Sequence, residues 1–287
     1  MGTADAEEIA LSDSSDRVEC RPFIKWAGGK TQLLPNLLKR IPTSFNRYLE
    51  PFVGGGALFF ALKPKSAYLA DCNTELINCY QAVRDDVQGL IKELKDYHYD
   101  KDQYYAVREL DRHESFSALS QIKRAARLIY LNKTCFNGLY RVNSKGYFNV
   151  PYGSHRNPTI LDANNLLQCS KALAPTILKS GPFEEILEVA QEGDFVYFDP
   201  PYAPISDTAD FTAYAQGGFD DSAQELLLLV CLQLHQRGVK WMVSNSNAPI
   251  IQELYRGFRI ESVPASRSIN SRADKRGPVL ELIIRNY

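Results

Sequence analysis

Histidine, methionine and tryptophan are scarce in this 287-residue chain, at four, two and two copies, and its six cysteines are dispersed. Cys20, Cys72, Cys79, Cys135, Cys169 and Cys231 form no C-x-x-C pair, and His98, His113, His155 and His235 are scattered, so no zinc framework and no metal are expected. Free thiols in a reducing compartment are the reading. No apolar run is long enough to span a bilayer, which excludes a membrane partner of that kind. The first twenty residues carry Asp5, Glu7, Glu8, Asp13, Asp16 and Glu19 against Arg17 alone, without the basic start and apolar middle of a signal peptide. Residues 1–20 therefore read as a disordered acidic tail, and the protein as cytoplasmic. Internal repeats and low-complexity segments are missing. The formal net charge is −1, so the chain as a whole does not attract a polyanion.

One absence is local. Between Ser115 and Leu161 there is no Asp or Glu, while Lys123, Arg124, Arg127, Lys133, Arg141, Lys145 and Arg156 fall there. Tyr130, Phe136, Tyr140, Tyr147, Phe148 and Tyr152 are interleaved with them. A basic, aromatic-laced stretch in a near-neutral chain is the electrostatic footprint of nucleic-acid binding.

Elsewhere short apolar runs alternate with helical patterns. Strands are expected at Arg47–Glu50, Tyr68–Ala70, Thr176–Leu178, Phe195–Phe198, Trp241–Ser244, Ile260–Val263 and Leu280–Ile284. Helices are expected at Ala57–Leu62, Glu75–Arg84, Phe183–Ala190, Ser222–Arg237 and Pro249–Tyr255. This alternation predicts an α/β fold, a parallel sheet with helices on both faces. From Thr74 to Ala163 the rhythm breaks: Leu90–Tyr97, Lys101–Arg112 and Ser117–Leu131 read as helices, and Asn143–Gly146 between two aromatic runs reads as a hairpin turn. The expected division is a main domain of residues 21–73 and 164–287 carrying a helical insertion tipped by a hairpin, 74–163.

Three motifs carry chemistry. Asp199-Pro200-Pro201-Tyr202 follows the apolar run Phe195–Phe198, so a buried strand delivers a carboxylate, two residues without N–H groups and an aromatic ring. That set suits a planar amine: the carboxylate and the Pro200 carbonyl accept its hydrogens, and the tyrosine stacks on its ring. Glu50-Pro51-Phe52-Val53-Gly54-Gly55-Gly56 lies between strand and helix, where glycines let backbone approach a ligand, and Asp71 ends the next strand at ribose-binding spacing. This pattern fits an adenosine-containing cofactor without separating a dinucleotide from S-adenosyl-L-methionine. In Lys25-Trp26-Ala27-Gly28-Gly29-Lys30-Thr31 the Gly-Lys-Thr is no phosphate loop, because Ile24 stands where that loop needs glycine. Lys30 could instead meet the carboxylate of an amino-acid-like cofactor.

In order, these segments resemble the Dam-type DNA N6-adenine methyltransferases. So do Phe136-Asn137-Gly138-Leu139-Tyr140-Arg141, Gly146–Pro151 and Ser268-Ile269-Asn270-Ser271-Arg272; the resemblance covers residues 21 to 287. It implies a Rossmann-like seven-stranded methyltransferase sheet with an inserted helical and β-hairpin recognition domain. It also implies S-adenosyl-L-methionine as donor and transfer to N6 of a flipped adenine in double-stranded DNA, within GATC. Asp199, Pro200, Pro201 and Tyr202 would be catalytic; Trp26, Lys30, Phe52, Gly54, Gly56, Asp71 and Asp199 would bind the cofactor. Lys25, Leu139, Arg141 and Pro151 match base-reading positions, and Phe136 and Asn137 match positions that wedge into the duplex. Arg124 and Arg272 are further expected DNA contacts, with Arg267, Lys275 and Arg276 offering phosphate contacts. His155 departs from the family, standing where some members carry an aromatic contact. Alternatives are an amino methylase of cytosine-N4 or RNA adenine, and a catalytically inactive DNA-binding relative. Whether a restriction endonuclease accompanies the protein is not legible in the sequence.

Overall fold

The computed structural model describes residues 20–204, 219–266 and 278–287. The acidic tail, except Cys20, and the basic segment holding Arg267, Arg272, Lys275 and Arg276 lie outside the described residues. In chain order the elements are α1 (Leu34–Leu38), β1 (Tyr48–Glu50), α2 (Ala57–Leu62), β2 (Ala67–Asp71), α3 (Thr74–Asp85), α4 (Val87–Leu94), α5 (Lys101–Glu109), α6 (Gln121–Thr134), α7 (Ala163–Leu173), β3 (Thr176–Ser180), α8 (Ile186–Val189), β4 (Phe195–Phe198), α9 (Asp221–Gln236), β5 (Lys240–Ser246), α10 (Pro249–Leu254), β6 (Arg259–Ser266) and β7 (Pro278–Arg285).

One sheet of seven strands runs in the order β3-β2-β1-β4-β5-β7-β6. The first five in that order are mutually parallel, but β7 is antiparallel to both β5 and β6. This corrects the all-parallel expectation. A parallel step needs a crossover of about a dozen residues or more, and β6 and β7, close in sequence, pair antiparallel instead.

Successive strand residues feed opposite faces. Tyr48, Leu69, Phe195 and Tyr197 join one apolar cluster, while Leu49, Tyr68, Ala70, Val196 and Phe198 join the other. A strand buried on both faces must be apolar throughout, which is why β4 reads Phe-Val-Tyr-Phe. Each such side chain contributes about 1.5–3 kcal/mol by leaving water. Helices begin where a short acceptor side chain meets a free N–H: Asn73 accepts from the Leu76 amide, Ser120 from Lys123, Asp162 from Asn165 and Asp220 from Ala223. α1 and α7 are elements the sequence reading omitted.

A third cluster, of Tyr104, Val107, Tyr130, Leu131, Cys135, Phe148 and Val150, gathers within residues 104–150. The hairpin forms as the isolated antiparallel bridges Val142–Phe148 and Cys135–Tyr152 rather than as a ladder. Asp111 fastens it: its carboxylate accepts from the Phe148 amide at 2.7 Å and pairs with Arg127 of α6 at 2.8 Å.

Candidate active site

The parallel half of the sheet converges three acids. Glu50 ends β1, Asp71 ends β2 and Asp199 directly follows β4, all at the carboxyl ends of adjacent strands. The strand order reverses direction between β1 and β4, and ligands of α/β sheets bind in that crevice. Burial, opposed by the Tyr48 hydroxyl that donates at 2.9 Å, pushes the Glu50 carboxyl well above its ordinary range. Burial also raises Asp71, against amide donation from Asn73 at 2.9 Å and Gly54 at 3.1 Å.

Lys30 is the counter-charge. Its buried ammonium lies 2.8 Å from Asp199 Oδ1, donates to the Gly28 carbonyl at 2.6 Å and sits 4.5 Å from the Tyr202 ring centroid. The lysine thus ties two members of the Asp-Pro-Pro-Tyr motif together. Burial pushes the Asp199 carboxyl up to about 6, Lys30 pulls it down, and Glu281 of β7 adds a push upward. Tyr202 donates to Glu281 Oε2 at 2.8 Å, which holds its ring.

The loop after Tyr202 is held from below. The buried Asn245 Oδ1 accepts from Ala203 N at 3.2 Å, Ser246 Oγ donates to Ala203 O at 2.6 Å, and Gln224 Nε2 donates to Pro201 O at 3.1 Å. Asn245 Nδ2 closes the network by donating to Gln224 Oε1 at 3.0 Å. Such fully partnered buried polar networks fix one backbone geometry. Glu281, Asn245, Ser246 and Gln224 were not singled out from the sequence. For Asn245 and Ser246 the available signal was polar side chains at the end of an otherwise apolar strand.

The glycine loop makes a cradle. Gly54 has φ +47° and a Cβ there would lie 2.9 Å from Trp26 Cδ1; Gly56 has φ +67° and a Cβ would lie 2.6 Å from the Tyr80 hydroxyl. Only glycine fits both positions. Phe52 stacks on Phe183 at 5.1 Å and walls one side. The structure therefore gathers Lys30 with Asp199 and Tyr202, and Trp26 with Gly54, which hydrogen-bonds Asp71.

The expected DNA contacts fall into two groups. Lys25, Phe136, Asn137, Arg141 and Pro151 are exposed, and Leu139 is half-buried. Phe136 N donates to Pro151 O at 2.9 Å, and Arg141 is aimed by Asn149, whose Oδ1 accepts from it at 2.7 Å. Phe136 is half exposed, at 50%, unusual for so large an apolar side chain. Arg124 is different: it pairs with Glu75 of α3 and lies over the Phe116 ring. Arg127 is buried against Asp111. The uniform basic face expected from the acid-free stretch is thus corrected, because acids from outside it neutralise these two arginines. His155 also turns inward, hydrogen-bonding the Cys135 carbonyl at 2.8 Å.

Among the described residues no helix is long and apolar enough to cross a membrane, and no group of His, Cys, Asp and Glu could hold a metal ion. Residues 26–269 match the D12 class N6 adenine-specific DNA methyltransferase family. The Type II methyltransferase M1.LlaDCHI of Lactococcus lactis subsp. cremoris is 44% identical over 276 residues, covering 95% of this chain and 97% of the relative. The Type II methyltransferase M.MjaIII of Methanocaldococcus jannaschii is 43% identical over 290 residues, covering 94% and 100%. The DNA adenine methylase of Escherichia coli (strain K12) is 32% identical over 267 residues, covering 92% and 94%. With the acid-lined crevice and the Asp-Pro-Pro-Tyr turn at its mouth, the match over most of its length makes this chain a member of the D12 class of adenine-specific DNA methyltransferases, enzymes that use a methyl donor and a DNA substrate.

Proposed function

We propose that the enzyme transfers a methyl group from S-adenosyl-L-methionine to N6 of an adenine flipped out of duplex DNA, within GATC. The observation that carries this reading is the placement of Asp199 and Tyr202 beside a buried, acid-rich crevice that holds a single lysine.

The crevice fits the donor on its own chemistry. Buried carboxylates at Glu50, Asp71 and Asp199 are costly beside one ammonium, and a ligand bearing a sulfonium and an amino group offsets that cost. Trp26, Lys30, Phe52, Gly54, Gly56, Asp71 and Asp199 are the residues that would hold it. When bound, S-adenosylmethionine supplies an electrophilic methyl carbon.

The protein's residues do the rest. Adenine leaves the stack at a cost of about a few kcal/mol. Tyr202, held by Glu281, offers its ring for stacking. Asp199 and the Pro200 carbonyl accept the two N6 hydrogens and draw the nitrogen toward a tetrahedral shape, which frees its lone pair. Asp199 also stabilises the positive charge that develops on N6, which is discharged when the amine releases to solvent the proton that the methyl group replaces. Lys30 takes one oxygen of Asp199, and the other is available to the incoming amine. Arg141 offers the paired donors that read guanine, Lys25 a single ammonium, and Leu139 and Pro151 offer apolar contacts for a thymine methyl. Arg124 would have to leave Glu75 to reach DNA, so its role on this reading is to brace α6 against α3.

Expressing the protein in a host that lacks DNA methylation and sequencing the modified bases tests this reading. N6-methyladenine confined to GATC is expected. Methylation at other adenine sites would remove the assigned sequence, and methylcytosine would remove the assigned base.

A further inference from the structure

Lys25 and the turn at Phe136–Gly138 lie far apart in the chain, in segments with different partners. They are joined by one side chain, Asn132 near the end of α6, which is 1% exposed. Its Oδ1 accepts from Lys25 N at 2.9 Å, while Nδ2 donates to Lys25 O at 2.9 Å and to Gly138 O at 2.9 Å. The amide therefore pairs with the Lys25 main chain in both directions, as a neighbouring strand would, and spends its remaining hydrogen on the turn. Aspartate has no donors for the two carbonyls, and leucine satisfies none of the three groups.

Gly138 completes the joint. It has φ +66°, and a Cβ there would lie 2.6 Å from Lys25 Cδ and 3.2 Å from Lys25 Cβ. The lysine stem thus rests directly on the glycine. Asn137 beside it also has a left-handed backbone, at φ 56°. Trp26, one residue after Lys25, stacks on Tyr140, two residues after Gly138, with ring centroids 5.1 Å apart and planes at 25°. Lys25 is exposed and makes no side-chain ion pair among the described residues, so its direction is set by its main chain and by Gly138.

We infer that Asn132, acting with Gly138, is a positioning residue for sequence recognition: it fixes where the Lys25 ammonium enters the groove relative to the Phe136–Asn137 wedge. This deepens the proposed function and rests on its reading of Lys25 as a base contact. A single ammonium discriminates poorly unless its origin is fixed, because the flexible stem otherwise lets it follow any acceptor. Asn132 supplies that fixed origin, and the base pair facing Lys25 is the one whose recognition depends on it.

The test uses the full chain and a set of duplexes, the methylated site and versions with one base pair changed at each position other than the target. Discrimination is the ratio of kcat/KM between the site and each changed duplex. Lys25→Ala is expected to lower it at one base pair by about ten- to a hundredfold. Asn132→Ala is expected to lower discrimination at that same pair by a comparable factor, to leave the other pairs within about twofold, and to add nothing in the Lys25→Ala background. Gly138→Ala displaces the lysine with Asn132 intact and is expected to act on the same pair; it carries the test if Asn132→Ala does not fold. Loss at one pair in Lys25→Ala with none in either other variant overturns the inference alone. A uniform fall on every duplex in those two variants also overturns it, because it marks a structural role only. If Lys25→Ala leaves every ratio unchanged, Lys25 is not a base contact and the inference falls with that reading.

Discussion

The crevice and the stretch from residue 115 to 161 manage charge in opposite ways. The crevice draws three acids from the ends of adjacent strands into one buried place and sets one lysine among them. That stretch carries no acid in sequence, yet in space two of its arginines are matched: Arg124 by Glu75 of α3 and Arg127 by Asp111. On the proposed reading, the unbalanced charge in the crevice is what a cationic ligand would meet. Between residues 115 and 161 the balanced charge is structural, and Arg141, Lys145 and Arg156 are among the cations left exposed. Segregation of charge along a chain is therefore not segregation on a surface.

The sharpest contrast comes from removing one charge in each region. Asp199→Ala is expected to cost about 10²–10³-fold in kcat, the scale of one preorganised polar contact, with DNA binding retained in a gel-shift assay. Near-normal turnover would break the account of the crevice. Arg127→Ala should instead leave Asp111 buried without its partner and cost about 3–5 kcal/mol of stability in urea unfolding. An unchanged midpoint combined with weakened DNA binding would mean Arg127 serves DNA after all. Arg141→Ala, an exposed cation, is expected to cost about 1–3 kcal/mol at one base position in methylation rates on altered duplexes. An equal loss on every duplex would make it a phosphate contact.

The smallest effect concerns pH. Burial favours the protonated form of Asp199, so the carboxylate needed for turnover appears as pH rises through about 6. An acidic limb in kcat near that value is expected. Glu281 pushes this carboxyl upward, so Glu281→Gln should move the limb to lower pH, while keeping an acceptor for the Tyr202 hydroxyl. A limb that stays in place would show that Glu281 acts only through the ring.

Much of the fold was legible because its signals are local. β4 at Phe195–Phe198 and α2 at Ala57–Leu62 coincide with the expected bounds, the first as an apolar run closed by Asp-Pro-Pro, the second as an apolar stretch opened by glycines. α1 escaped because five residues containing Pro35 give no period. α7 escaped although Leu166, Cys169 and Leu173 keep helical spacing, since its polar opening Ala163-Asn164-Asn165 masks the Asp162 cap. The reversed direction of β7 depends on how the chain returns from β6, which strand composition does not encode. In the site, Asp199, Tyr202, Gly54 and Asp71 were legible as motifs. Glu281, Asn245 and Asn132 were not, because each acts through a partner distant in the chain.

The most direct test of the central claim is nucleoside mass spectrometry of unmethylated plasmid incubated with the purified chain and methyl-labelled S-adenosylmethionine. Labelled N6-methyladenine with the unaltered chain, formed about 10²–10³-fold more slowly with Asp199→Ala, is the predicted result. Label in methylcytosine, or N6-methyladenine formed equally fast with both chains, would contradict it.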